Sequence, residues 1–185
     1  MPGSAKVLWT AAAVLCLAAG AAGCASATSG SQPPASTDPA PSAPTSPAPT
    51  GDPQSLAKAA YLGMWQAYVA AARTADYQAP GLDHYAAGGA LSTLTHALYQ
   101  EHNDGDVSLG HPVLHPAVTL VRGSGGEVTR ADVTDCADGS HWLNYHDGKL
   151  IVGQDLRHRY IVARLQPFNG TWKATYLNVG LAGTC

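Results

Sequence analysis

Hydrophobic positions in the first half of the folded part of the chain repeat with helical spacing. Five of them recur at intervals of three or four residues and share one helical face: Tyr61, Met64, Trp65, Tyr68 and Ala71. With Asp52 as N-cap and Pro53 at the first helical position, they predict a helix over residues 54–74. A short helical turn is predicted over 80–85, and a further helix over 90–102.

After residue 105 the hydrophobic period becomes two, which predicts strands. We predict a strand around residues 118–120, a strand over 127–136, and two hairpins, 142–145 with 149–152 and 159–166 with 171–179. The last hairpin would turn at Asn169-Gly170, a strong turn dipeptide. Helices followed by antiparallel strands indicate an α+β domain, in which one curved, cone-like sheet of about five strands surrounds the first helix.

The N-terminal pattern is that of an export signal. Lys6 precedes an apolar run over residues 7–19, which is too short to span a membrane comfortably. The small residues that end at Cys24 resemble the lipobox of bacterial lipoproteins, although Ala21 stands where leucine is preferred. We therefore predict a lipoprotein signal peptide over residues 1–23 and lipid on Cys24, which would hold the protein on the outer face of the cell membrane. The alternative is ordinary cleavage nearby, which leaves Cys24 as a free thiol.

Residues 24–53 are almost wholly serine, threonine, proline, alanine and glycine. Such a composition cannot bury enough apolar surface to offset the entropy of ordering, so we predict a disordered tether. Proline would keep this tether extended. Its serine and threonine residues are either sites of O-glycosylation or simple spacer.

Charge excludes one class of partner. The whole sequence carries a net charge of −3, and only 12% of its residues are charged. Without Lys6 the count becomes nine basic against thirteen acidic side chains, or −4. Nucleic-acid binding requires clustered lysine and arginine, so no nucleic-acid partner is predicted.

Two cysteines, Cys136 and Cys185, remain in the predicted domain, while Cys16 lies in the signal peptide. An exported chain meets an oxidising environment, so this even pair predicts a disulfide bond. Metal binding and redox catalysis are the alternatives, but the sequence contains no Cys-x-x-Cys spacing.

Four segments together carry a family resemblance. They are Met64-Trp65-Gln66-Ala67-Tyr68, Leu82-Asp83-His84-Tyr85-Ala86, Asp132-Val133-Thr134-Asp135-Cys136 and Gly170-Thr171-Trp172-Lys173-Ala174-Thr175. Over residues 54–185 the chain resembles the nuclear-transport-factor-2-like (cystatin-like cone) superfamily, which includes ketosteroid isomerase and the polyketide cyclases. More narrowly, it is similar to uncharacterised actinobacterial lipoproteins with that domain. The resemblance implies a pocket between the first helix and the concave sheet face, and by analogy a possible homodimer, but no particular activity.

Enzymes of this superfamily place an acid or a base in the pocket. By location the candidate bases are Asp83, His84, Asp135 and His141. Three tyrosines are candidate proton donors: Tyr68, Tyr85 and Tyr99. None of these residues lies in a motif that matches an enzyme branch, so we assign no catalytic residue.

Eight histidines raise the question of a metal site. Pro112 rules out a helical pair between His111 and His115, four residues apart. Four further residues could approach one ion: Asp135, Asp138, His141 and Asp147. No spacing matches a zinc or calcium signature, so we predict scattered surface histidines, no metal and no cofactor.

Aromatic side chains are the remaining candidate for a site. The proposed set is Trp65, Tyr68, Tyr85, Trp142, Trp172 and Tyr176. These residues would either line the mouth of the cone and stack on a flat or apolar ligand, or simply fill the core. Trp65 and Tyr68 share a helix face, and a regular strand would put Trp172 and Tyr176 on one sheet face.

The sequence thus favours a surface-tethered, non-catalytic binding or interaction module of the cell envelope. Its partner would be a small apolar ligand or another envelope protein, besides the membrane reached through Cys24. The alternative is an extracytoplasmic isomerase, dehydratase or cyclase that uses an aspartate or histidine base in the pocket.

Overall fold

Three helices come first in the computed structural model, which describes residues 51–185. They are α1 (Pro53–Ala72), α2 (Leu82–Tyr85) and α3 (Gly88–Asp104). The predicted signal peptide, the predicted lipidation site Cys24 and the predicted tether up to residue 50 lie outside the described residues. No helix among those described is both long and apolar enough to cross a membrane.

Helix α1 has the N-terminal cap and the apolar face that its sequence predicts. The Asp52 carboxylate accepts hydrogen bonds from the Ser55 backbone N–H at 2.9 Å and the Ser55 hydroxyl at 2.8 Å, and Pro53 occupies the first turn. The five residues of the predicted apolar face are all buried. Both long helices and the short α2 are confirmed, with ends that differ from the predictions by at most two residues.

Seven antiparallel strands follow the helices, and they form two sheets. They are β1 (Asp106–Gly110), β2 (Ala117–Arg122), β3 (Val128–Ala137), β4 (Trp142–His146), β5 (Lys149–Leu150), β6 (Arg159–Phe168) and β7 (Thr171–Ala182). The larger sheet has the order β2-β3-β6-β7, and the smaller one the order β1-β4-β5. The α+β class is confirmed, because helices are followed by antiparallel sheets that do not close into a barrel.

The expectation of a single sheet of about five strands is wrong. The sequence analysis missed β1, whose Ser108 pairs with Asn144 on β4. This strand is only five residues long, and its apolar residues Val107 and Leu109 are not buried, whereas the polar Ser108 is, so the usual signal of a buried apolar face is missing. The hairpin of β4 and β5 joins β1 rather than the larger sheet.

The core lies between α1 and the inner face of the larger sheet. Three inward-facing alanines of that sheet are completely buried: Ala131, Ala163 and Ala174. Because an alanine occupies little depth, the large side chains of Tyr61, Met64 and Trp65 can enter from α1 and fill the layer. Larger residues such as Val133, Ile161 and Leu165 close the sides.

Helix α2 packs against α1 at a glycine. A Cβ atom placed on Gly63 would lie 2.5 Å from Cε1 of the Tyr85 ring. That distance is far inside van der Waals contact, so the position admits only a hydrogen as its side chain. Gly81, by contrast, has only the Ala67 Cβ atom nearby, at 3.8 Å.

Replacing Gly63 by alanine should therefore destabilise the fold. We expect the free energy of unfolding to fall by about 1–2 kcal/mol, since overpacking outweighs the gain in helix propensity. Urea denaturation followed by circular dichroism measures this change. The matched variant Gly81→Ala should be neutral within about 0.5 kcal/mol, and equal effects of the two variants would contradict the packing argument.

The predicted disulfide is confirmed. Cys136 on β3 is bonded to Cys185, and their Cα atoms are 5.9 Å apart. Thr184 adds to this junction, because its hydroxyl accepts a hydrogen bond from the Tyr160 backbone N–H at 2.8 Å. The end of β7 is thereby fixed to the middle of the larger sheet.

Replacing both cysteines by serine should lower stability substantially. The bond closes a loop between residues 49 positions apart. In the chain-entropy treatment, such a loop contributes about 4 kcal/mol to the free energy of unfolding. Denaturation of the double variant beside the oxidised and the chemically reduced wild type measures this contribution. A loss below about 1 kcal/mol would show that the bond constrains the unfolded chain very little.

Candidate functional site

A cavity of about 290 Å³ lies between α1, the last turn of α3 and both sheets. Its volume is at the small end of the range for ligand pockets. Aromatic and polar side chains from five of these elements line the wall: Trp65, Glu101, Ser108, Trp142, Asn144 and Arg159. The wall is therefore part aromatic and part polar.

The aromatic side of the cavity is a packed trio of rings. Trp65 meets Tyr68 and Trp142 edge to face, with centroid distances of 5.8 and 5.9 Å. Tyr68 and Trp142 complete the triangle at 5.6 Å. Edge-to-face pairs at these distances are mutually attractive, so the three rings hold one another in fixed orientations. Trp65 and Trp142 line the cavity, and Tyr68 contacts both of them from α1.

The other three residues of the proposed aromatic set do not share this cavity. Tyr85 and Trp172 line a separate shallow groove near α2. Tyr176 is 41% exposed, and the Arg164 guanidinium lies 5.1 Å from its ring centroid. The structure thus brings together Trp65, Tyr68 and Trp142 only.

An irregularity in β7 explains why the side chains of Trp172 and Tyr176 point to opposite faces of the sheet. The register between β6 and β7 shifts between Arg164 and Leu165, so the partners on β7 skip from Tyr176 to Ala174. A bulge of this kind reverses the face to which later side chains point. Trp172 consequently faces the core, whereas Tyr176 faces solvent, and the expectation that both share one sheet face is wrong.

Glu101 is the functional candidate that the sequence analysis missed. It lies in the last turn of α3, and its Oε1 atom is 3.2 Å from the Ser108 hydroxyl. That hydroxyl is also 2.8 Å from Asn144 Oδ1, but it has a single proton to donate. Glu101 Oε2 is buried and has no hydrogen-bond partner within the described part of the chain. The carboxylate is therefore poorly compensated.

The surroundings of Glu101 on balance disfavour its negative charge. Burial raises the pKa of its carboxyl, the Ser108 hydrogen bond lowers it, and the charge of nearby Asp106 raises it further. The C-terminal end of α3 is also the negative end of the helix dipole. The same carboxylate acts on Tyr68, whose pKa is raised by burial and then by the charge of Glu101.

A signal for Glu101 was present in the sequence. Leu94 and Leu98 belong to the buried stripe of α3, and Glu101 follows Leu98 by three residues, at the next position of that stripe. An acidic residue on the apolar face of a helix is unusual, and here it marks the cavity.

The loop over residues 151–158 covers one side of the cavity. Gln154 fixes it to β4, because its side-chain amide donates to the carbonyl of Asn144 at 3.0 Å and accepts from the Asn144 backbone N–H at 2.8 Å. The amide also donates to the Ile151 carbonyl at 2.6 Å. The Gln154 side chain thus binds the backbone of β4 at Asn144, beyond the end of the pairing with β5.

Asp135, a candidate base in the sequence analysis, stabilises the fold through hydrogen bonds to both of its carboxylate oxygens. It is buried, its Oδ2 atom accepts from the Tyr61 hydroxyl at 3.0 Å, and its Oδ1 atom accepts from the His115 backbone N–H at 2.8 Å. Burial, followed by the Asp135 charge, raises the pKa of Tyr61. Both carboxylate oxygens are therefore engaged, and Asp135 does not line the cavity.

The remaining proposed acid–base residues lie at the surface. Asp83, His84 and His141 are exposed, and so is Tyr99. In the described part of the chain, no three histidine, cysteine or acidic side chains are placed to hold a metal ion together. The suggested set of Asp135, Asp138, His141 and Asp147 is accordingly not assembled.

Replacing Tyr61 by phenylalanine should destabilise the fold by about 1–3 kcal/mol, because Oδ2 of the buried Asp135 would lose its donor. Thermal or urea denaturation of the full chain gives this number. Tyr160→Phe removes a hydroxyl from a tyrosine that is 43% exposed and serves as the matched control. Equal stability of the Tyr61 variant and the wild type would contradict the structural role of this hydrogen bond.

Comparison with known proteins adds little to this picture. No protein-family description and no curated protein matches the sequence. Among solved structures, the chain is similar to the intermembrane space region of chloroplast protein ARC6, with a TM-score of 0.48 and 18% identity over 72% of this chain and 100% of that chain. A similarity at this level carries no argument about function.

Proposed function

We propose that this protein is a lipid-anchored, non-catalytic binding module of the cell envelope, and that its cavity holds a small molecule. The observation that carries the proposal is the 290 Å³ cavity, in which an aromatic wall faces a buried carboxylate oxygen without a partner in the described residues. Native proteins rarely leave such an oxygen unsatisfied, because its desolvation costs about 1–3 kcal/mol. A bound molecule would satisfy it.

Preorganisation of the wall supports a binding role. The rings of Trp65 and Trp142 are fixed by edge-to-face contacts, and Asn144 is held between Ser108 and Gln154. Side chains that are already ordered lose little further entropy when a ligand binds. The cavity can therefore bind a small molecule without rearrangement of its aromatic wall.

The proposed location rests on the sequence features before residue 51. A lipid on Cys24 would anchor the protein, and the tether predicted over residues 24–53 would hold the domain away from the bilayer. The Cys136–Cys185 bond fits this assignment, since disulfides persist outside the reducing cytoplasm.

The alternative of an isomerase, dehydratase or cyclase receives less support. It needs an aspartate or histidine base at the cavity, and no histidine is among the described residues of the wall. Asp155 does line the cavity, but Arg157 donates to both of its carboxylate oxygens, at 2.9 and 2.7 Å. A carboxylate held in this way is a poor base, so an enzyme would have to use Glu101, the other acidic residue of the wall, rather than an aspartate or a histidine.

Mass spectrometry of the full chain, exported from a bacterial host, tests the proposal. We expect the native spectrum to contain additional mass that denaturation removes, and we expect Ala137→Phe to abolish it. Ala137 is buried and lines the cavity, so a phenyl ring there would occupy the space of the ligand. The control Ala117→Phe makes the same substitution at an exposed strand position and should keep the additional mass.

Two results would contradict the proposal. The first is a native mass equal to that of the bare chain, which would direct attention to protein partners. The second is additional mass that persists in a folded Ala137→Phe variant, because the ligand would then occupy another site. Thermal unfolding of each variant confirms that it is folded.

A further inference from the structure

We propose that the ligand of the cavity carries a protonated amine, whose N–H group donates to Glu101 Oε2 while the ammonium lies against the indole faces of Trp65 and Trp142. This inference rests on the proposed function and specifies the chemistry of the ligand. It replaces the small apolar ligand that the aromatic residues alone suggest.

The charge of Glu101 favours a cationic ligand. Its environment supplies at most one hydrogen bond, the one that Ser108 can donate, although a carboxylate accepts about four. Asp106 and the end of α3 both add negative potential. The Nδ1 atom of His146 is 2.8 Å from Asp106 Oδ1, and this hydrogen bond raises the pKa of the imidazole, so His146 is engaged with Asp106. A cation in the cavity would compensate Glu101 directly.

The aromatic wall also favours a cationic ligand. Indole rings attract cations through the negative potential of their faces, and the attraction is stronger in a site removed from water. The Nε1 atoms of Trp65 and Trp142 are buried and have no hydrogen-bond partner among residues 51–185, so each indole N–H is left to donate to an acceptor on another part of the ligand. Aromatic faces beside a carboxylate form the environment in which proteins bind ammonium groups rather than anions.

The positive groups of the cavity do not reverse this preference. Arg157 is neutralised by its paired hydrogen bonds to Asp155. Arg159 donates to the Gly180 carbonyl at 3.3 Å, which holds its guanidinium on the β7 side. Glu101 lies on α3, whereas Arg159 lies on β6. A ligand can therefore present its ammonium to Glu101 while the rest of it extends toward β6 and β7.

Three probes of nearly equal size test the inference: benzylammonium, benzyl alcohol and benzoate. Each is titrated into the full-length protein in detergent, and binding is followed by the nitrogen–proton NMR signals of the indole groups. The signals of Trp65 and Trp142 report on the cavity. Trp172 lies in a separate groove and provides an internal reference. We expect benzylammonium to bind at least tenfold more tightly than either of the other probes.

A charge-removing variant tests the role of Glu101. Glu101→Gln preserves size and should weaken benzylammonium binding about tenfold or more, while its effect on benzyl alcohol should be less than twofold. Glu127→Gln is the matched control, because it removes the same charge from an exposed loop residue outside the cavity. This control should bind all three probes as the wild type does.

The outcomes separate the inference from the proposed function. Equal or tighter binding of benzyl alcohol or benzoate at the Trp65 and Trp142 signals would overturn the amine assignment and leave a binding cavity. Undiminished benzylammonium binding in Glu101→Gln would do the same. If none of the probes shifts these signals and the native mass is bare, the binding function itself fails.

Discussion

Helix α1 is the element on which the rest of the structure depends, because it contacts both sheets. Its aromatic face packs on the larger sheet over Ala131, Ala163 and Ala174. Trp65 also contacts Trp142 on the smaller sheet. Helix α3 also contacts both sheets, through β7 and β1. The cavity lies between these two helices and the two sheets, and Glu101 of α3 forms part of its wall.

Glu101 illustrates a balance between stability and function. A leucine at this position would extend the apolar stripe of α3 and avoid the cost of desolvating a carboxylate. The chain instead has a charged group with one weak neighbour, in contrast to Asp135, whose two oxygens both accept hydrogen bonds. The half-buried Glu101 and the buried Asp135 thus differ in how far their carboxylates are satisfied within the described residues.

The sequence was sufficient for the helices, the class and the disulfide, since each rests on local pattern or on cysteine number. It was insufficient for features that depend on pairing between residues far apart in the chain. Strand β1 exists because it pairs with β4, where Asn144, the partner of Ser108, lies 36 positions further along the chain. The bulge opposite Leu165 determines that the Tyr176 side chain points to solvent rather than into the core. Of the candidate site, Trp65, Tyr68 and Trp142 were found because aromatic residues stand out. Glu101 was not, because its significance depends on burial that only the fold creates.

The attachment of the loop over residues 151–158 has a kinetic consequence. A strand held by a ladder of backbone hydrogen bonds opens only when many bonds break together. This loop is bonded to β4 at Asn144 alone, by two hydrogen bonds of the Gln154 side chain and one of the Ile151 backbone N–H. Breaking these few bonds would widen the entrance beside Asp155 and Leu156. Exchange of a molecule with the surroundings would then be limited by a local event rather than by unfolding of a sheet, so that residence time and affinity can vary independently.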